Sequence, residues 1–145
     1  MKITVEHSGV TENEVILRCP VLDEEMLGVL SLLRSGLQRL CVWDDSRQTT
    51  LLSPGEVVYC ETVDDRVFVY TGQSIYQTAL SLGELESRYG PLGFFRAGKS
   101  AVVNLHRIRS LSSREAGRIQ ATLETGEKLM VSRRYAPLLR ERLGL

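Results

Sequence analysis

Histidine is scarce in this chain and cysteine is sparse: His7 and His106 lie in different segments, and Cys19, Cys41 and Cys60 are widely spaced. No CxxC, HExxH, P-loop or GxGxxG pattern occurs. With no clustered ligands and no nucleophile partnered by a base, the sequence argues against an enzyme, a metal site, a cofactor or a small-molecule substrate. An odd number of cysteines set among apolar neighbours fits small buried hydrophobes in a reducing compartment. Long apolar runs are absent too. Nothing approaches the roughly 18 residues a membrane span requires, and the opening MKITVEHSG lacks the apolar centre of a secretion signal, so a soluble cytoplasmic protein is expected.

What is present is enough for a real core, since 43% of the 145 residues are hydrophobic. The formal net charge of zero hides a division. Residues 1–90 carry 7 Lys/Arg against 14 Asp/Glu, whereas residues 91–145 carry 11 against 4. A basic half of that kind points to a polyanionic partner, although charges that merely solvate two faces would look the same.

Along the chain, Lys2–Glu6 and Val15–Cys19 read as short β-like runs. Asp23 is placed to cap a helix with Glu24 and Glu25 in its first turn and Met26, Leu27, Leu30, Leu33 and Leu37 on its apolar face; Gly36 weakens its end. Leu40–Trp43 and Thr50–Leu52 read as strands around a polar turn. The SPGE punctuation at Ser53–Glu56 then divides a small α+β segment, residues 1–50, from the rest, 51–145. Beyond it, short strands follow at Val57–Thr62, Val67–Thr71, Ser74–Thr78, Gly93–Arg96, Ala101–Val103, Arg107–Leu111, Arg118–Leu123 and Lys128–Val131. Their regular spacing predicts a mainly β, antiparallel domain. Ser81 and Glu84 form a capping box for one short helix, and a last helix follows Ser132, with Leu138, Leu139 and Leu143 facing inward.

Two segments carry the chemistry. Phe94–Asn104 reads FFRAGKSAVVN and Val131–Tyr135 reads VSRRY, each setting basic and small polar residues beside a short apolar run. Arg96, Lys99, Ser100, Arg133 and Arg134 offer charge-assisted donors suited to phosphates, and arginine can also grip a guanine edge with two hydrogen bonds. Other roles stay open for some of them. Arg96 follows two phenylalanines and could be half-buried beside a carboxylate; Arg134 could be an ordinary helix-surface charge. Asn104 is the type of residue that fixes a turn, and His106 reads as structural.

The order EVVYCETVDDRVFVYT, a capped helix at LGELE, FFRAGKSAVVNLHRIRSL and ETGEKLMVSRRYAPLLRERL resembles the LytTR family of bacterial DNA-binding domains over about residues 51–145. That resemblance implies an elongated all-β domain that inserts loops into successive major grooves of double-stranded DNA, and hence a transcription regulator. Carried over by motif, the family's contacts fall near Asp65 and Arg66, at Lys99 and at Arg133. Where many members have histidine or another polar residue, this chain has Gly98.

Residues 1–50 are too few for a doubly wound phosphoacceptor receiver domain. They resemble the short extension of stand-alone LytTR regulators, some of which accompany a membrane protein. Their acidic, amphipathic character suits self-association into a homodimer, or contact with such a membrane partner, as well as it suits packing on the β domain. The rival to DNA recognition is a protein-interaction module that has lost DNA binding and docks a membrane or regulatory partner.

Overall fold

Consecutive rather than alternating apolar residues mark some of the strands: side chains of a strand point alternately to its two faces, so runs such as Val57–Cys60 and Phe94–Phe95 demand cover on both sides. The computed structural model describes the backbone of residues 1–145 and the side chains of all but residues 35–37; the expected inward placement of Leu37 and the part given to Gly36 lie outside the described residues. The chain divides into two units, Met1–Arg34 and Ser35–Leu145.

In the first unit the residues before position 24 form neither helix nor strand, so the runs expected at Lys2–Glu6 and Val15–Cys19 are not strands. Alternation alone does not make a strand without a hydrogen-bonded neighbour, and Ile3 and Val5 stand exposed. Helix α1 (Glu24–Leu37) begins where expected, the Asp23 carboxylate accepting the Met26 N–H at 3.0 Å. Its half-buried stripe is Met26, Val29, Leu30 and Leu33; Leu27, expected on that stripe, is exposed.

The second unit is built on antiparallel strands β1 (Leu40–Trp43), β2 (Thr49–Leu52), β3 (Val57–Val63), β4 (Arg66–Thr71), β5 (Ile75–Thr78), β6 (Phe94–Arg96) and β7 (Ala101–Asn104), in the sheet order β2-β1-β5-β4-β3-β7-β6. The turn at Ser53–Glu56 therefore bends one continuous sheet, because β1 and β2 join the strands that follow it. Strands β8 (Ile108–Ser113), β9 (Ile119–Leu123) and β10 (Lys128–Val131) form a second sheet in the order β10-β9-β8. Helix α2 (Leu82–Tyr89) starts with the expected reciprocal bonds between Ser81 and Glu84. Helix α3 (Ala136–Leu143) carries Pro137 in its first turn.

One face of the large sheet packs Leu40, Val42, Val69, Phe94 and Val102 against Leu82, Leu85 and Tyr89 of α2. The other packs Val58, Tyr59, Phe95 and Val103 against Ile119, Ala121, Leu123 and Val131 of the second sheet and Ala136 and Leu139 of α3. A bulge between Val57 and Tyr59 explains how Val58 and Tyr59 share one face: the extra residue breaks the alternation. Leu138 and Leu143, expected inward, are exposed, since a two-turn helix touches the sheet along one line only. Of the cysteines only Cys60 is buried; Cys41 points away from Leu40 and Val42 and is exposed, as is Cys19.

Tyr59 and Tyr70 stack on the second face with ring centroids 4.2 Å apart. The Tyr59 hydroxyl donates to Glu127 and the Tyr70 hydroxyl to Glu61, the latter at 2.7 Å. Burial, followed by these carboxylate partners, raises both phenols, Tyr70 to about 12.

Candidate nucleic-acid interface

Strand register decides which turns come together. Trp43 pairs with Gln77, Val67 with Thr78, Val63 with Arg66, Glu61 with Ala101 and Arg96 with Val102. The turns Asp64–Asp65 and Ala97–Ser100 therefore leave the large sheet at the same end. In the second sheet Ile119 faces both Ser113 and Val131, so the Arg114–Arg118 turn and the exit of β10 share an end as well. Two hydrogen bonds tie these parts to the loop between β6 and β7: the Ser132 N–H donates to the Ala97 carbonyl and the Thr62 N–H to the Ser100 carbonyl, each at 2.8 Å. The FFRAGKS and VSRRY segments, some thirty residues apart in sequence, thus meet.

Within that loop Arg96 has an internal role. Its Nε donates to the Gly98 carbonyl at 2.6 Å and its Nη2 to the Lys99 carbonyl at 2.9 Å, while Nη1 stands 4.0 Å from Glu86 of α2. The side chain is only 21% exposed. Of the two roles open for Arg96, the half-buried one beside a carboxylate is the one this geometry fits. Lys99 and Ser100 are exposed at the tip.

Arg133 and Arg134 are also exposed. The stem of Arg133 lies over the Arg114–Arg118 turn at Gly117, where an added Cβ would come within 3.1 Å of Arg133 Cγ and where φ is +74. The left-handed backbone favours glycine there, and an added side chain would press on the Arg133 stem. The Arg134 guanidinium lies 5.4 Å from the Tyr135 ring centre, within cation–π range. Arg66 is exposed directly after the tight turn at Asp64 and Asp65, whose φ values of 51 and 62 are those of a two-residue hairpin turn. Between this turn and the Lys99 loop lies a cleft of about 560 Å³ lined by Trp43, Asp65, Arg66, Arg96, Lys99 and the start of α2.

Sequence reasoning missed two exposed arginines at this end: Arg114 and Arg118. Arg114 Nε donates to Gln120 Oε1 at 3.0 Å and Arg118 Nε to the Glu115 carbonyl at 3.2 Å, which stiffens the turn beneath Arg133. Their signal was a basic pair flanking a short turn, indistinguishable by itself from ordinary surface charge. Asn104 and His106 lie at the opposite end of β7. Asn104 Nδ2 donates to the Val57 carbonyl at 2.8 Å and its Oδ1 accepts the His106 N–H at 3.1 Å, the turn-fixing role expected of it. The imidazole abuts Gly93, where φ is +110 and an added Cβ would lie 2.7 Å from His106 Cδ2.

An antiparallel β scaffold that delivers basic turns to one end is the architecture of a DNA-binding β domain. The chain belongs to the LytTR family: the model of the LytTr DNA-binding domain matches residues 47–144. It is similar to the sensory transduction protein LytT of Enterococcus faecalis, 27% identical over 96 residues, a match covering 66% of this chain and 39% of LytT. It is also similar to an uncharacterised HTH-type transcriptional regulator of Staphylococcus aureus, 23% identical over 136 residues and covering 93% of this chain and 92% of that protein. A solved LytTr DNA-binding domain from Bacillus cereus shares the fold, with a TM-score of 0.70 at 22% identity over 74% of this chain and 98% of that domain.

Proposed function

We propose that this chain is a sequence-specific DNA-binding transcription regulator that inserts the turns at its basic end into the major groove of duplex DNA. The observation that carries the reading is the stitching of Ala97–Ser100 to Ser132 and Thr62, which gathers basic residues from separate parts of the sequence onto one end. Arg133, held over Gly117, is the base reader, since a guanidinium on a fixed stem suits the paired acceptors of guanine. Lys99, Ser100, Arg134 and Arg66 contact the phosphate backbone and set register. Arg96 serves from beneath the loop. Membership of the family and the regulator named among the relatives support this reading.

Selection from a random duplex pool at stated salt, followed by titration of the recovered sequence at several salt concentrations, tests it. Recovery of a preferred sequence is expected, with affinity falling by about 0.9 log units per log unit of salt for each phosphate neutralised. No retained DNA, or a flat salt response, would favour a protein-interaction module. For residues 1–34 we propose self-association, which would place two domains on paired sites; the exposed Leu27 and Leu32 of α1 favour it. Sedimentation of Leu30→Lys should then show a shift to monomer with Ser35–Leu145 still folded, and a wild type already monomeric at high concentration would refute it.

A further inference from the structure

The loop between β6 and β7 is organised around its carbonyl groups, all four of which are taken. Ala97 O accepts from Ser132 N–H, Gly98 O from Arg96 Nε, Lys99 O from Arg96 Nη2 and Ser100 O from Thr62 N–H, at 2.8, 2.6, 2.9 and 2.8 Å. The four donors come from three residues whose positions are fixed independently of the loop: Ser132 follows β10, Thr62 lies in β3, and Arg96, which supplies two, is the last residue of β6. With its oxygens drawn inward, the loop has its amides left over. The Ala97 N–H closes the turn on the Ala101 carbonyl at 2.9 Å, but among the described residues no acceptor meets the N–H of Gly98, Lys99 or Ser100. Lys99 and Ser100 are exposed, and Gly98 has no side chain to stand in front of its own amide.

Successive backbone N–H groups without internal acceptors, beside an ammonium and a hydroxyl, offer donors that attract an anion. We infer that Gly98, Lys99 and Ser100 form a phosphate-binding loop whose main contacts are backbone amides, and that Arg96 is a positioning residue that holds the loop open by occupying its carbonyls. This rests on the DNA-binding reading and assigns the ligand of one of its loops: a non-bridging phosphate oxygen of the duplex backbone. It separates the two cations of the FFRAGKS segment by role. Lys99 adds a point charge to a contact made mostly by the main chain, whereas Arg96 need not touch DNA at all. A planar guanidinium can bridge two successive carbonyls with donors at fixed angles; the single ammonium of a lysine cannot reproduce that fork.

The discriminating variant is therefore Arg96→Lys, which keeps the charge and removes the fork. Amide resonances of the full chain are followed by NMR while a duplex is added, with affinity measured in parallel on the selected sequence and on an unrelated one. In the wild type the Gly98, Lys99 and Ser100 amide protons should move downfield and exchange more slowly with water on both duplexes, because phosphate is common to all sequences. Lys99→Ala should keep those shifts while binding more weakly. Arg96→Lys should lose them and bind roughly tenfold or more weakly, the size expected for one lost charge-assisted contact. If Arg96→Lys does not fold, the wild-type and Lys99→Ala titrations still decide. DNA binding with the three amides unmoved, shifts confined to the selected sequence, or Arg96→Lys binding as the wild type does, would each overturn the phosphate loop while leaving DNA recognition standing. Failure of the wild type to bind any duplex would instead overturn the DNA-binding reading itself.

Discussion

Replacing Asn104 separates a residue that holds the scaffold from one that reads DNA. The residue is 2% exposed, and its side chain donates to the Val57 carbonyl at 2.8 Å and accepts the His106 N–H at 3.1 Å; the 3.5 Å approach to the Pro54 carbonyl is too long to count for much. Asn104→Ala leaves the Val57 carbonyl without this donor in a place water does not reach, which costs about 1–3 kcal/mol, and loses the second bond for about 0.5–1.5 kcal/mol more. The sum of about 1.5–4.5 kcal/mol corresponds to a fall in Tm of roughly 5–15 °C in a chain of this size. Asn104→Asp should be worse, because it keeps the acceptor for His106 but turns a carboxylate oxygen toward a carbonyl. Thermal melts followed by circular dichroism measure the loss. DNA affinity below the transition should be unchanged for either variant, since Asn104 lies at the end of β7 remote from Lys99. An unchanged Tm, or a loss of affinity on the selected sequence without a loss of stability, would refute the reasoning.

Three other outcomes are expected. Arg133→Ala should lose about 1–3 kcal/mol on the selected duplex and little on a scrambled one, whereas Lys99→Ala should weaken both alike; equal losses for Arg133→Ala on both would remove it as a base reader. The raised Tyr70 phenol carries a pH signature: the folded state holds this proton more tightly than an ordinary tyrosine at 10.0, so the stability it contributes is complete below about pH 10 and is lost as pH rises through about 12. Urea unfolding midpoints across that range, with phenolate absorbance recorded alongside, should fall less steeply for Tyr70→Phe, and an equal slope would contradict the assignment. Gly117→Val should lower both stability and DNA affinity, because its side chain would press on Arg133 from a backbone with φ of +74; melting curves and titrations that match the wild type would show that the contact is unimportant.

Much of the scaffold was legible because local rules governed it. Ser81 and Glu84 cap α2 as their spacing implies, and most strand limits fall within a residue or two of the apolar runs. Lys2–Glu6 misled because its alternation resembles a strand, yet pairing is a tertiary event that no local pattern supplies. The SPGE punctuation was a real turn, but whether a turn separates domains or bends a sheet depends on partners far away, here β1 against β5. At the basic end the types of residue were legible and their roles only partly so. Nothing local distinguishes the inward Arg96 from the outward Arg133; that difference arises from which carbonyls the folded loop turns toward each guanidinium.

The bond between Ser132 and Ala97 has a consequence for synthesis. Two of the loops that make the basic end belong to different sheets, and the second is anchored only when β10 has paired with β9. A growing chain on the ribosome, folding from its N-terminal side, acquires Lys99 before Arg133. Its cationic groups then act singly, as weak and indiscriminate charges amid abundant ribosomal RNA. The composite grip arises late in translation, so the opportunity for a half-made regulator to lodge on the wrong nucleic acid is brief.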